Sequence, residues 1–273
     1  MTPTKGFEAD IIATGTELTY GQFTDTNSSW IANRLTQHGF IVRRMTVVGD
    51  RIDDTVKMIN EGLRERRKLI VITGGLGPSE DDLTVEAIAK ALGRDTIIGR
   101  RAQEMVRAKC QEFSIELTGR WKRMARMVKG TSPLVNPIGL APGTRVRSGG
   151  TTIVALPGIP KEMKPMFEAH ILPMVQMWTK EQVRTINLRI FFGKNRSTVL
   201  RQVQSEFQDV HLKIHAKPPA HDRQGYAKGM DMTLMAKGAD PRACRKALEK
   251  MVRRFRSLVE DNDGRLEIIE ADL

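Results

Sequence analysis

Short runs of consecutive apolar residues set the fold class of this chain. Ile11–Ala13, Leu69–Ile72 and Ile153–Leu156 are such runs, and amphipathic helical patterns separate them. Strands that are apolar on both faces are typical of parallel sheets covered by helices on both sides. The alternation of strand and helix therefore predicts an α/β fold, with a doubly wound, mostly parallel sheet in three layers.

A different pattern begins near residue 180. Apolar residues alternate with other residues in Ile186–Phe192, Val210–Ala216 and Met230–Ala236, which is typical of strands with one solvated face. Two amphipathic helices lie among these strands, in the order β-α-β-β-α, which predicts a second, smaller two-layer α/β domain. The predicted domains are a ligand-binding domain at 1–178, the small domain at 180–260 and an acidic tail at 261–273.

The charge of the chain is unevenly distributed. The net charge is +12, from 44 Lys and Arg against 32 Asp and Glu, and residues 101–250 alone carry 27 basic against 12 acidic residues. This excess predicts anionic partners such as phosphates, nucleotides or nucleic acid. No apolar run reaches the ~20 residues of a membrane helix, and two cysteines cannot form a disulfide framework. We therefore expect a cytoplasmic protein with no membrane partner.

The segment from Thr73 to Thr84 carries the strongest chemical signal. It follows an apolar run and contains three glycines, which allow a sharp turn and a close approach to a ligand. Backbone N–H groups in such a turn, next to a helix N-terminus, bind anions. The segment matches neither a Walker loop nor a GxGxxG fingerprint. The predicted ligand-binding residues of this segment are Thr73, Gly74, Gly75, Gly77, Pro78, Ser79 and Thr84.

Carboxylates follow these glycines directly. Asp81 and Asp82 are hard ligands that suit Mg²⁺ or a similar ion beside a phosphate. The alternative is that one of them caps the helix that begins near Leu83. Asp50, at the end of another strand segment, is a further candidate for the same site, or else a turn residue.

Polar residues after the first strand complete the candidate site. Gly15 and Glu17 follow the run Ile11–Ala13, and Glu17 is a candidate for holding a metal or a ligand hydroxyl. The alternative for Glu17 is an exposed loop acid. Asp25 and Asn27 open the first predicted helix, where they either bind a ligand or form a simple N-cap.

Five motifs occur in order along the first 178 residues. They are GTEL at Gly15–Leu18, DTN at Asp25–Asn27, TGGLGPSEDDLT at Thr73–Thr84, NPIGLAPG at Asn136–Gly143 and LPGIPKEM at Leu156–Met163. With these motifs the chain resembles the amino-terminal domain of the CinA family, within the wider MoaB/Mog molybdopterin-binding fold. Two positions depart from the family pattern. Ser79 stands where Thr is usual, and Tyr20 stands where a small or aliphatic residue is usual.

The resemblance implies both an activity and site residues. CinA amino-terminal domains hydrolyse ADP-ribose to AMP and ribose 5-phosphate with a divalent metal (Mg²⁺, Mn²⁺ or Co²⁺) and K⁺, so a metal-dependent pyrophosphatase is expected here. Asp82 takes the place of a metal-associated carboxylate, with Asp50 as its partner and Asp81 beside it. The implied ligand-contacting residues further along the chain are Asn136, Gly143, Pro157 and Gly158.

Other functions stay open from the sequence. Mog-type relatives adenylylate molybdopterin, so the alternative is a molybdopterin- or nucleotide-binding protein that does not hydrolyse its ligand. A minority alternative is RNA binding, suggested by the basic runs Arg64–Lys68 and Arg253–Arg256 and by the outline of a KH module. The turn Gly193–Arg196 lacks the second glycine of a KH loop, and aromatic residues are only 5%, so nucleic acid is the less favoured partner.

The expected assembly is a homo-oligomer. Bacterial CinA proteins also carry a carboxyl-terminal domain that deamidates nicotinamide mononucleotide. The 273 residues leave no room for that domain after the second one, so deamidation is not expected of this chain.

Overall fold

The structure, a computed structural model, describes residues 6–179, 181–215 and 229–272. Apart from residues 37–39, the described chain up to Thr179 forms one compact unit, and the described residues from 181 onward form another. Ala216, predicted to end a strand, lies outside the described residues. In the described part of the chain, no helix has the length and apolar character needed to cross a membrane.

The first unit alternates strands and helices. In its first half the elements are β1 (Glu8–Thr14), α1 (Thr16–Thr19), α2 (Thr26–Gln37), β2 (Ile41–Val48), α3 (Ile52–Arg64), β3 (Leu69–Thr73), α4 (Thr84–Ala91) and β4 (Thr96–Ile98). In its second half they are α5 (Arg100–Glu112), α6 (Gly119–Lys122), β5 (Arg126–Val128), β6 (Ser132–Leu134), β7 (Gly143–Ser148), β8 (Thr151–Leu156), α7 (Pro160–Met166) and α8 (Leu172–Trp178). A π-helical turn at Phe167–Ile171 joins α7 to α8.

Six of these strands form one sheet, in the order β2-β1-β3-β8-β7-β6. The first four are parallel to one another, whereas β7 is antiparallel to β8, and β6 is antiparallel to β7. The predicted mostly parallel sheet is therefore confirmed. Its carboxyl-terminal edge brings together the ends of β1, β3 and β8, and this edge carries the polar motifs.

Helices cover both faces of the sheet. Ile11 packs in a core that includes Ile31 of α2, whereas the next residue, Ile12, packs in a core that includes Ile59 of α3 and Ile88 of α4. Successive side chains of a strand point to opposite faces, so a run of apolar residues serves both cores. The predicted three-layer α/β architecture is confirmed.

A smaller core lies under α5. Cys110 packs there with Ala102, Val106, Ala125 and Met127. The thiol is buried, and this burial raises the pKa of Cys110 above its usual value.

The second unit contains a separate four-stranded sheet. Its elements are β9 (Gln182–Phe191), α9 (Arg196–Glu206), β10 (Val210–His215), β11 (Met230–Gly238), α10 (Pro241–Glu260) and β12 (Arg265–Asp272). The strands are antiparallel, in the order β10-β11-β9-β12. The succession β-α-β-β-α-β with this order is that of a ferredoxin-like sandwich.

The last strand corrects a prediction. Residues 261–273 were expected to form an acidic tail, but 265–272 form β12, which pairs with β9. Leu266 is only 6% exposed in the core of this unit. The acidic side chains face basic or polar groups of β9, since Asn187 Nδ2 donates to Glu270 at 3.2 Å and Arg184 lies 3.9 Å from Asp272. Leu273 lies outside the described residues.

The helix α10 supplies most of the helical side of this core. Its stripe contains Cys244, Leu248, Met251, Phe255 and Leu258, all of them buried. The pKa of the Cys244 thiol is raised, chiefly by burial.

The basic features behind the RNA hypothesis are partly neutralised. Arg254 donates to Glu206 at 2.8 and 3.0 Å, and this bond lowers the pKa of Glu206 to about 2. In the turn after β9, Lys194 lies 2.8 Å from Asp263. Charges that are already paired contribute little to phosphate binding. The RNA hypothesis stays a prediction, and the structure adds no observation in its favour.

Candidate functional site

The glycine loop begins where β3 ends. Gly74 and Gly75 have φ angles of 105° and 64°, which favour glycine. A side chain at Gly74 would collide with the backbone oxygen of Thr14 in β1, and one at Gly75 would collide with the hydroxyl of Thr84. The loop is therefore folded tightly against the end of β1, which only a glycine-rich sequence allows.

Asn27 ties this loop to its neighbours. Its Nδ2 donates to Thr73 Oγ1 at 3.0 Å and to the Gly158 carbonyl at 2.7 Å, and Thr73 Oγ1 donates to the Pro157 carbonyl at 3.0 Å. Asn27 is only 8% exposed, and its Oδ1 accepts from no described group. One side chain of α2 thus holds the ends of β3 and β8 together.

A cavity of about 740 Å³ opens at these strand ends. Sites in open α/β sheets lie at this edge. Fifteen of the eighteen predicted site residues line the cavity. They are Gly15, Glu17, Asp25, Asn27, Asp50, Thr73, Gly74, Gly75, Gly77, Pro78, Ser79, Asp81, Asp82, Pro157 and Gly158.

Comparison with known proteins agrees with this geometry. Residues 10–177 match the family described as "Probable molybdopterin binding domain". The chain belongs to this family. It is similar to a protein of Pyrobaculum aerophilum, with 37% identity over 212 residues that cover 76% of this chain and 79% of the relative. A protein of Pyrococcus furiosus is 34% identical over 250 residues, covering 89% of this chain and 95% of the relative.

A solved structure supports the same assignment. The protein CinA from Thermoplasma acidophilum is 38% identical, has a TM-score of 0.57, and matches 61% of this chain and 98% of its own. The predicted resemblance to the CinA family, within the molybdopterin-binding fold, is therefore confirmed.

Three of the predicted site residues do not line the cavity. Thr84 is buried, and its hydroxyl donates to the Gly74 carbonyl at 2.8 Å, so it supports the loop from behind. Gly143 lies in β7, where a side chain would come within 2.7 Å of the Ala155 oxygen. Asn136 is also buried, and its Nδ2 donates to Glu162 at 2.7 Å. These residues act as supports rather than as ligand contacts.

The carboxylates of the site are held by backbone N–H groups. Asp82 accepts from Ser79 at 2.7 Å, inside the glycine loop, and Asp50 accepts from Thr16 at 2.8 Å. The helix α4 begins with Leu83 as its N-cap residue and without a side-chain cap bond. The cap alternative for Asp81 and Asp82 is therefore wrong.

For Asp25, by contrast, the structural alternative holds. Its Oδ1 accepts from the backbone N–H of Ser28 at 2.9 Å, in the first turn of α2, which is the geometry of an N-cap. It nevertheless lines the cavity, so the cap and a ligand contact are compatible.

The charge of the cavity wall is wholly negative among the described residues. The six acidic residues in it are Glu17, Asp25, Asp50, Asp81, Asp82 and Glu162, and none of its described lining residues is Lys or Arg. The basic excess of the sequence therefore does not supply the wall of this cavity. An anionic ligand here needs a cation of its own to offset the carboxylates.

The donor set fits a metal ion that is shared with a ligand. Among the described residues, no three His, Cys, Asp or Glu side chains form a metal-binding group. Mg²⁺ is usually held by one or two carboxylates together with substrate phosphates. Asp82 and Asp50 each keep one carboxylate oxygen without a hydrogen-bond partner among the described residues, which suits this mode.

The cavity also has an apolar rim, which the sequence did not predict. Phe23 and Ile159 line it and are 68% and 57% exposed. Exposed large apolar side chains at a cavity mouth suit a flat ring system. The loop that contains Phe23 lies between two motifs and has no periodicity of its own, so the sequence offered no signal for this residue. Ile159 lies within the motif LPGIPKEM, but its exposure at the cavity is visible only in the structure.

Replacing Asn27 with aspartate is expected to lower the free energy of unfolding of the first unit by about 2–4 kcal/mol. The carboxylate cannot donate a hydrogen bond to Gly158 or Thr73, and its charge repels their oxygens. Chemical denaturation measures this loss. Asp25→Asn is the matched control, since asparagine caps helices as well as aspartate and should cost under about 0.5 kcal/mol. Equal losses of stability in both variants would contradict the conclusion that the Asn27 side chain holds the ends of β3 and β8 together.

Proposed function

We propose that this chain binds the phosphate of a nucleotide or pterin at the glycine loop, together with a divalent cation. The cavity at the strand ends, with the loop from Gly74 to Asp82 in its wall, supports this proposal. Backbone N–H groups of such loops donate hydrogen bonds to phosphate oxygens. The family to which the chain belongs is named for molybdopterin, which is a pterin phosphate.

The negative charge of the cavity wall is the single observation that supports a bound cation. Six carboxylates and no described Lys or Arg line the cavity in which a phosphate would lie. Repulsion between such charges amounts to about 1–4 kcal/mol per pair at 4 Å, depending on the local dielectric. A divalent metal would offset this repulsion, because it would attract both the phosphate and the carboxylates. Asp82 and Asp50 would hold it.

A second, finer function is hydrolysis of a pyrophosphate bond, with ADP-ribose giving AMP and ribose 5-phosphate. The observation in its favour is that Asp81 and Asp82 lie on the glycine loop itself and line the cavity. A bound Mg²⁺, Mn²⁺ or Co²⁺ would polarise the phosphorus towards attack by water. K⁺ would add further charge compensation. The protein's own part is to orient the phosphate through the loop and the metal through Asp82.

The test compares Asp82→Asn with Glu80→Gln. Glu80 is on the same loop but does not line the cavity, so its variant is the matched control. Calorimetric titration with AMP and pyrophosphate, in Mg²⁺ and in EDTA, should show metal-dependent binding by the parent. Asp82→Asn should weaken that binding by about 10- to 100-fold, the usual effect of losing a charged contact, and Glu80→Gln should not.

Product analysis separates the two functions. Metal-dependent release of AMP from ADP-ribose or FAD, abolished in Asp82→Asn, would support hydrolysis. Binding without release under any metal, with or without K⁺, would contradict hydrolysis and leave binding or adenylyl transfer. Absence of metal-dependent binding to any of these ligands would contradict the proposal as a whole.

A further inference from the structure

Glu162 enters the cavity from the first turn of α7 and is held there by a buried amide. Asn136 Nδ2 donates to Glu162 Oε2 at 2.7 Å, and Asn136 is only 5% exposed. The other carboxylate oxygen, Oε1, accepts from no described residue. Glu162 also lines the cavity, so this oxygen is available to a ligand.

The support behind Glu162 is rigid. Asn136 Nδ2 donates a second bond to the Ala141 carbonyl at 2.9 Å. Its Oδ1 accepts from the backbone of Ile138 and of Gly139, at 3.0 and 2.8 Å. A side chain at Gly139 would overlap the carboxylate of Glu162, so the loop wraps closely around that group. An amide with four bonds cannot turn, and the orientation of Glu162 is fixed with it.

The size of the cavity indicates what such a carboxylate meets. A volume of about 740 Å³ exceeds what a pyrophosphate needs and matches a whole mononucleotide or pterin. Apolar side chains in the wall, among them Met124 and Leu140, suit the organic part of such a ligand. A carboxylate repels phosphate and accepts from O–H and N–H groups.

We propose that Glu162 is a specificity-determining residue that accepts a hydrogen bond from the organic part of the ligand, and that Asn136 is its positioning residue. This inference rests on the proposed function and adds the ligand feature that is recognised, which is a neutral O–H or N–H donor. Two sources carry that chemistry. One is a ribose hydroxyl, and the other is an N–H group of the purine or pterin ring.

Glu162→Gln tests the proposal with little change of shape. Asn136 Nδ2 is a donor, so it keeps the oxygen of the new amide and turns the new N–H₂ group to the cavity. The substitution thus replaces an acceptor by a donor at the same point, and a ligand donor then meets another donor. Sites that lose a matched hydrogen-bond partner discriminate strongly.

The measurement is calorimetric titration of the full chain in Mg²⁺, with AMP, ribose 5-phosphate and inorganic pyrophosphate as probes. Glu162→Gln should weaken AMP binding by about 10- to 100-fold and leave pyrophosphate binding unchanged. A parallel loss for ribose 5-phosphate identifies the ribose hydroxyls as the donor, whereas a loss confined to AMP identifies the base. Unchanged pyrophosphate affinity also shows that the variant is folded.

The matched control is Glu168→Gln. Glu168 lies six residues further on, pairs with Arg34 and does not line the cavity. It should leave the affinity for all three probes unchanged. Equal loss of pyrophosphate and AMP binding in Glu162→Gln would overturn the proposal and assign Glu162 to the metal. Full AMP affinity in that variant would overturn the proposal as well, because Glu162 would then make no contact with the ligand. A parent protein that binds none of the probes would refute the proposed function itself.

Discussion

Gly74→Ala is expected to lower the free energy of unfolding of the first unit by about 2–5 kcal/mol and to abolish phosphate binding. The φ angle of 105° strains any side chain, at a cost of about 1–3 kcal/mol. In addition, the new methyl group would collide with the backbone oxygen of Thr14, and overpacking of this kind costs about 1–3 kcal/mol. Backbone atoms cannot move aside as a side chain can, so the loop itself shifts.

Gly93→Ala separates the two contributions. Gly93 also has a positive φ, 61°, but a side chain there would meet nothing within 4 Å. Its variant should lose only about 1–2 kcal/mol, the cost of left-handed backbone, and should bind ligand normally. Thermal unfolding and titration with pyrophosphate measure both effects. Similar stability and binding in the two variants would show that contact with Thr14 is unimportant.

Deletion of residues 265–273 is expected to lower the free energy of unfolding of the second unit by about 3–6 kcal/mol. Leu266 is buried, and its loss alone costs about 1.5–3 kcal/mol. The strand also pairs with β9 from Arg265 to Asp272, and each lost hydrogen bond costs about 0.5–1.5 kcal/mol. A small domain with a stability of about 5–15 kcal/mol would lose much of it.

Hydrogen exchange locates this loss. Amides of β9 and β11 should lose protection in the deletion variant, while those of β1 and β3 keep theirs. Glu270→Gln is the matched control, because it removes an acidic charge but retains an acceptor for Asn187, and it should change stability by under about 0.5 kcal/mol. A deletion as mild as the control would mean that the segment behaves as the acidic tail that its composition suggested.

The parts of the fold that follow from local pattern were predictable from the sequence. The runs Ile11–Ala13, Leu69–Ile72 and Ile153–Leu156 are strands because their apolar side chains serve two cores. Since parallel strands end at the same edge, the motifs after them had to converge there. The glycine loop and the acidic residues beside it were located for the same reason.

The acidic composition of 261–273 hid the last strand. Leu266 and Ile268 alternate as strand residues do, but the register shifts between Ile268 and Glu270, so the period is interrupted. The charges are compensated by basic and polar residues of β9, about eighty positions earlier in the chain. Such long-range compensation leaves no mark on local composition.

Side-chain contacts between the motifs could not be predicted from the sequence either. Both Asn136 and Glu162 belong to motifs that are visible in the sequence. Only the fold shows that the amide of Asn136 orients the carboxylate of Glu162. Asn27 was interpreted as a cap or a ligand contact, whereas it bonds the chain at Thr73 and Gly158. Sequence patterns identify which residues gather at an edge, and side-chain geometry decides which of them remain free for a ligand.

The two buried cysteines give each unit a reporter of its own. Cys110 lies in a core of the first unit and Cys244 in that of the second, and the sequence contains no other cysteine. A thiol reagent modifies a buried cysteine only when the surrounding structure opens transiently. Labelling rates, resolved by mass spectrometry of the two peptides, would therefore time the opening of each unit in one unmodified chain. Loss of β12 would raise the labelling rate of Cys244, and distortion of the glycine loop would raise that of Cys110.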